Sequence, residues 1–301
     1  MRGRKFVYPC VVRHKYDRAV TLIEILVVMS IIAIMAGIFM PTIIKMRLQS
    51  YQTINMNNQR QIVAVVTCFA SDNNGKYPES TATIGQGQNW NWQEPTMMTA
   101  VRSRSPRLHR SMSRYLHSYV EDARTMFCHN APYRYKYFQA AWDAGDDWDN
   151  PETPEANDPM IGSYCFYWNY TGILEGQKKL FKGPEGPSGG ENQSKVLVSD
   201  YFGYNHWRSP LSYGSCEKFK GGIVAQGTAV SSDYWSYPRS DANSLDLQKI
   251  KLYAGYIDGH VESYSATETV PMKVSMSSDC NVPYPDGLGP GAFFLPANAI
   301  P

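Results

Sequence analysis

Residues 19–44 read AVTLIEILVVMSIIAIMAGIFMPTII, and this stretch decides how the rest of the chain is organised. Its last 20 residues, Ile25–Ile44, carry no charged side chain. At about 1.5 Å per residue, a helix of that length reaches about 30 Å, the depth of a bilayer core. A buried helix of a soluble domain normally shows a polar stripe, and none is present here over five turns. One acid, Glu24, stands at the front edge of the run. A carboxylate at the mouth of a membrane span is costly unless something compensates it.

Upstream, residues 1–19 hold Arg2, Arg4, Lys5, Arg13, Lys15 and Arg18 against the single acid Asp17, a net +5. The other 282 residues hold 23 basic and 26 acidic side chains, a net −3. The overall +2 is therefore the sum of a basic tag and a mildly acidic remainder. Such a balance is not that of a nucleic-acid binder, which shows a strongly basic face. No second uncharged run of this kind exists, so one span is expected and a multi-pass protein is excluded. The basic flank predicts a cytoplasmic N-terminus and an extracytoplasmic remainder. An ordinary secretory signal has an apolar region of about 7–15 residues and a small-residue cleavage site. The run here is longer, and the best such site, after Ala36, has the bulky Ile34 two residues earlier.

The sequence Val20-Thr21-Leu22-Ile23-Glu24, behind a basic leader and ahead of an apolar helix, closely resembles the class III signal of type IV prepilins and type II secretion pseudopilins. That family's pattern is Gly, then Phe-Thr-Leu-Ile-Glu. Thr21, Leu22, Ile23 and Glu24 match it by position, while Ala19 stands in place of the Gly and Val20 in place of the Phe. The resemblance implies cleavage between Ala19 and Val20 by a prepilin peptidase, N-methylation at Val20, and a role for Glu24 in assembly. There its carboxylate would neutralise the N-terminal amine of a neighbouring subunit. It also implies that Pro41 kinks the helix; proline lacks an N–H and bends a long helix rather than always ending it. The implied fold is α+β and pilin-like: a long N-terminal transmembrane helix packed on an antiparallel β-sheet head with large loops. The implied partners are the peptidase, other pilin or pseudopilin subunits and the inner membrane, with no nucleic acid.

Spacings of three and four continue past Pro41 through Ile44, Leu48, Tyr51, Ile54, Asn58, Ile62, Val65, Val66 and Phe69. They predict one helix from about residue 21 to about residue 70. Asp72-Asn-Asn-Gly-Lys-Tyr-Pro78 then supplies turn and stop signals. Residues 69–78 resemble the segment that follows the long helix in major pseudopilins. The chain thus divides into a leader (1–19), a transmembrane segment (20–44), an amphipathic continuation (45–71) and an exported α+β head (72–301).

Within the head, residues 112–128 read as a short helix leading into a strand, and 143–159 as an acidic surface loop. Residues 161–173 read as one strand, 176–194 as a Gly-Pro-rich loop and 195–200 as a buried strand. Residues 251–264 read as a hairpin turning at Asp258-Gly259, with a type I′ turn. This hairpin resembles one near the end of a large pseudopilin-like group, whose histidine about ten residues earlier is replaced by Gln248.

Chemistry beyond assembly is thinly signalled. Asp143, Asp146, Asp147 and Asp149 offer oxygens for Ca²⁺ but lack EF-hand spacing, so a solvated loop is preferred. Major pseudopilins can hold calcium near C-terminal loops, which makes Asp279 and Asp286 the resemblance's metal candidates; otherwise no cofactor is expected. Cys128, Cys165, Cys216 and Cys280 lie in the head, where export permits disulfides, and their three pairings stay open. All seven tryptophans lie beyond residue 89. They either fill a core or form a glycan-stacking face, the latter making the chain a membrane-tethered binding module. No Gly-x-Ser-x-Gly, Walker A, His-Glu-x-x-His or Cys-x-x-Cys pattern occurs, so no enzymatic activity is expected.

Overall fold

A computed structural model describes residues 20–84, 91–92, 95–99, 110–128, 136–151, 160, 162–174, 179–204, 251–273 and 292–301. The chain resolves into two compact units, residues 1–49 and 50–301.

In the first unit the chain is helical from Leu22, and every described residue up to Ser50 is exposed. This helix, α1, runs Leu22–Asp72 and includes Pro41 without ending there. It is the single described helix apolar and long enough to cross a membrane. Its stop is a glycine device. Gly75 has φ +75° and its N–H reaches Ala70 O at 2.8 Å, with Asn74 also left-handed at φ 55°. This pairing satisfies a carbonyl that the helix end would otherwise orphan.

In the second unit the remaining elements are β1 (Thr83–Ile84), β2 (Asn91–Trp92), α2 (Ser113–Leu116), α3 (Phe138–Ala144), β3 (Tyr164–Phe166), β4 (Thr171–Leu174), β5 (Lys179–Lys182), β6 (Val196–Asp200), β7 (Gly203–Tyr204), β8 (Lys251–Tyr256), β9 (Val261–Ser265), β10 (Thr269–Lys273) and β11 (Ala292–Pro296). Among the described residues, three antiparallel sheets form, in the orders β1-β2, β3-β6-β8-β9 and β5-β4-β10-β11-β7. The α+β architecture, an antiparallel head on a long helix, is the one expected for a pilin-like chain.

The four-stranded sheet is covered on both faces, because its side chains alternate along each strand. Tyr164 and Phe166 join the cluster that holds Ile62, Val63, Val66 and Ala70 of α1, while Cys165 between them joins the cluster shared with the five-stranded sheet. That second cluster also takes Leu252, Ala254 and Tyr256 from β8, and Phe181, Met272 and Phe294 from across the gap. In β6, Val196 faces the second sheet but Val198 faces the helix, although period two would place them together. The pairing with β8 shifts register between these two residues, and this irregularity reverses the faces. On β8, Gly255 sits beneath the helix, where an added Cβ would lie 2.9 Å from Val63 Cγ2 and 3.0 Å from Val198 Cγ1. The close approach of helix and strand requires glycine at this point.

Several expectations are corrected. The buried stripe of α1 consists of Asn55, Gln59, Ile62, Val63, Val66 and Ala70, rotated from the expected one; Ile54 is exposed, and Asn58, Val65 and Phe69 are half-buried. Residues 161–173 do not form one strand. A turn at Asn169, with φ 51°, separates β3 from β4, and the two enter different sheets. The segment 176–194, expected to be a loop, contains β5, paired along its length with β4. After α2 the chain forms a 3₁₀ turn at Ala123–Met126, and Phe127 and Cys128 pack in the core outside any strand. Residues 143–147 finish α3 and a following 3₁₀ turn instead of forming an open loop. The β8–β9 hairpin is present, but its turn is not type I′. The loop is Ile257-Asp258-Gly259, with Gly259 N–H bonded to Tyr256 O and positive φ at Gly259 alone. That is a type I turn closed by a left-handed glycine.

Candidate functional site

The decisive residues surround the start of α1. Thr21 stands just ahead of the first helical residue, and Glu24 falls three positions later. Glu24 N–H donates to Thr21 Oγ1 at 3.3 Å, and the Glu24 carboxylate accepts from Thr21 N–H at 2.8 Å and from Thr21 Oγ1–H at 2.9 Å. This is a capping box: two helix-terminal donors are satisfied reciprocally. The Glu24 carboxylate lies over the positive end of the helix macrodipole, which favours the anion there. The backbone N–H it binds, that of Thr21, is one residue along the chain from the nitrogen that cleavage before Val20 would turn into an amine. Threonine three residues ahead of glutamate, before an apolar run, is the sequence sign of this box, and the assembly role expected of Glu24 does not account for it.

A second polar constellation lies inside the second unit. Asp200, the last residue of β6, is fully buried. It accepts from Asn55 Nδ2 at 2.7 Å, Gln59 Nε2 at 2.9 Å and the backbone N–H of Tyr253 at 2.9 Å. Gln59 Nε2 also reaches Tyr253 O at 3.2 Å. A buried carboxylate is tolerated only when such donors saturate it. Here they tie α1 to the middle of the four-stranded sheet. Asn55 and Gln59 are one helical turn apart, and that amide pair on a packed face was the sign in the sequence that the expected stripe was misplaced.

The other candidates scatter. Asp143 meets His117 Nε2 at 3.2 Å and Gln139 Nε2 at 2.8 Å, while Asp146 accepts from Ser111 N–H at 2.7 Å and an Arg114 guanidinium nitrogen at 2.9 Å. Asp147 and Asp149 are exposed. Among the described residues no three His, Cys, Asp or Glu side chains converge on a metal-sized space. Asp279, Asp286, Cys216, Cys280 and Ala19 lie outside the described residues. Cys128 and Cys165 are both buried, but in the two different core clusters. Trp142 and Trp168 are buried in the helix-side cluster, Trp142 Nε1–H donating to Val120 O at 2.9 Å, and Trp148 packs half-buried beside them. These three are core residues and offer no open stacking face. Trp90, Trp207, Trp235 and the side chain of Trp92 lie outside the described set.

Asp258 and His260 form a local pair at 2.5 Å, with the imidazole stacked on Tyr256 at 4.2 Å. Tyr256 OH in turn donates to Glu262. Burial first, and then the bond to Glu262, raises the Tyr256 phenol well above its ordinary range. Tyr115 is pushed up to about 12, by burial and then by its hydrogen bond to Glu79 and that residue's charge.

The family model of the prokaryotic N-terminal methylation motif matches residues 14–40. This chain carries a type IV prepilin-like signal. The match covers the second part of the basic segment, the capping box and most of the uncharged run, and it points to a pilin- or pseudopilin-type exported protein anchored by its N-terminal helix. Comparison with curated proteins gives no match, and neither does comparison with solved structures.

Proposed function

We propose that this chain is a pseudopilin-like structural subunit. It is made as a precursor with a leader of residues 1–19, cut between Ala19 and Val20 by a prepilin peptidase and N-methylated at Val20. Residues 20–44 hold it in the inner membrane, and residues 45–71 continue the helix, bent at Pro41. The head, 72–301, lies on the extracytoplasmic side. Copies, alone or with other pilin or pseudopilin subunits, build a type II secretion or type IV pilus-like filament. The role is structural, not catalytic.

One coincidence supports this reading best. The methylation motif at residues 14–40 falls on a helix that opens with a Thr21–Glu24 capping box and then leaves its apolar surface exposed as far as Ile44. Burying a large aliphatic side chain is worth about 1.5–3 kcal/mol, so this surface demands a membrane or neighbouring helices. Glu24 is suited to both states. In the isolated subunit its carboxylate is held by Thr21, and in a filament an amine from a neighbour would replace or share that bond, far stronger in low dielectric than in water.

Mass spectrometry of the N-terminus from native membranes tests the proposal. A methylated terminus at Val20 is expected; an intact Met1, or a terminus at Gly37, refutes it. Glu24→Ala is expected to insert normally and to abolish cross-linked ladders of identical heads. Ladders at the native level would remove Glu24 from assembly.

A further inference from the structure

Processing would invert the charge pattern about the span. In the precursor, six Lys and Arg side chains precede it. From Val20 to Ile44 the processed chain keeps one charged side chain, Glu24. Its first cationic side chains are Lys45 and Arg47, directly after the 20 uncharged residues, and both are exposed on α1.

The spacing of this pair determines what it can bind. Residues two apart on a helix point to opposite sides, about 200° around the axis, yet differ by only about 3 Å in height. A neighbouring helix lying along one side would meet one cation and miss the other. A planar layer of anions perpendicular to the helix would meet both. Their long apolar stems can lie along hydrocarbon while the charged heads reach the headgroups.

We propose that Lys45 and Arg47 form a cationic collar that binds anionic phospholipid headgroups at the extracytoplasmic face and sets the depth of the processed subunit. The inference rests on the single-span, leader-inside orientation proposed above. It goes further in naming the ligand, a lipid phosphate, and in giving the outer end of the span the retaining charges once the inner ones are cut away.

Juxtamembrane cations of this kind contribute about fivefold each to association with an anionic surface. The test uses the processed full chain in nanodiscs of equal phosphatidylglycerol and phosphatidylcholine, compared with K45Q/R47Q and with the charge-preserving K45R/R47K. Resistance to alkaline carbonate in vesicles of the same composition establishes insertion. Native mass spectrometry after mild detergent release then counts the retained lipids. The collar predicts retention of phosphatidylglycerol over phosphatidylcholine by about 25-fold, lost in K45Q/R47Q and kept in K45R/R47K. Equal retention of the two lipids by the inserted native chain overturns the collar alone, as does unchanged selectivity in K45Q/R47Q. A native chain that washes out at alkaline pH overturns the membrane span and the collar with it.

Discussion

Replacing Gly255 by alanine tests how closely α1 is seated on the sheet. The new methyl would stand 2.9 Å from Val63 Cγ2, 3.0 Å from Val198 Cγ1 and 3.6 Å from Val261 Cγ2. Ordinary carbon contacts begin near 3.5 Å, so the first two overlap by about half an ångström each. Both neighbours are valines, whose χ1 is stiff, and neither can swing aside cheaply. The strand and helix must separate, an overpacking cost of about 1–3 kcal/mol. Removing glycine from a strand returns about 0.5–1 kcal/mol of backbone entropy. The net loss is about 0.5–2 kcal/mol, or a fall in Tm of about 1–8 °C for a head of this size. Tryptophan fluorescence follows the transition cleanly, since all seven tryptophans lie beyond residue 89, clear of the apolar helix. Val63→Ala clears the space, so Gly255→Ala should cost less in that background, with a coupling of about 1 kcal/mol or more. An unchanged or raised Tm for Gly255→Ala, or strict additivity with Val63→Ala, would refute the seating described here.

Three further outcomes are expected. Asp200→Ala leaves buried donors of Asn55, Gln59 and Tyr253 without their acceptor and should cost about 2–4 kcal/mol, seen as a lower urea midpoint, while Asp200→Asn, which keeps an acceptor oxygen, should cost less. Thr21→Ala removes the cap and should weaken the first helical turn by about 1 kcal/mol, so that amide exchange at Ile23 and Glu24 in micelles speeds up about fivefold, with Val28 unaffected. Tyr115, raised to about 12 in the folded head against 10.0 unfolded, keeps its proton over a window in which the unfolded chain loses it. Its contribution to stability is therefore complete below pH 10 and is lost as pH rises from about 10 to about 12. Absorbance near 295 nm should show tyrosines that ionise only as the head unfolds at high pH, and full titration of every tyrosine in the still-folded head would contradict this.

The helix and its anchor were legible because their cues are local. Twenty uncharged residues and Asn-Gly at the stop need no knowledge of the rest of the chain; Thr-x-x-Glu at the start is equally local, but the assembly reading of Glu24 does not draw on it. The head was legible only in pieces. The buried strand β6 announced itself as a short apolar run, and the hairpin of β8 and β9 by its Asp-Gly turn. Residues 161–173 did not divide on inspection, because both halves are apolar and the division depends on Asn169 entering a left-handed turn, where its side chain bonds Tyr77 O and Pro78 O. β5 was hidden in a polar, glycine-flanked segment whose strand state comes from pairing with β4, a non-local cause. The helix face was misplaced by about one residue because its buried side chains include two amides, Asn55 and Gln59, whose partner Asp200 lies over 140 positions away. A hydrophobicity pattern cannot register a buried position filled by a hydrogen-bonded amide.

The capping box also acts as a boundary. Left uncapped, a strongly apolar helix tends to grow backwards by a turn, since each added residue closes another backbone bond at little cost. Thr21 and Glu24 occupy the donors that such growth would use, and so hold the first helical residue at Leu22. A peptidase can open a peptide bond only where the chain can be drawn out straight in its cleft. By stopping the coil there, the box leaves Val20 outside the helix, next to the bond at which cleavage is proposed. In the processing proposed above, Thr21 and Glu24 would thus mark where the part of the chain to be discarded gives way to the part to be built with.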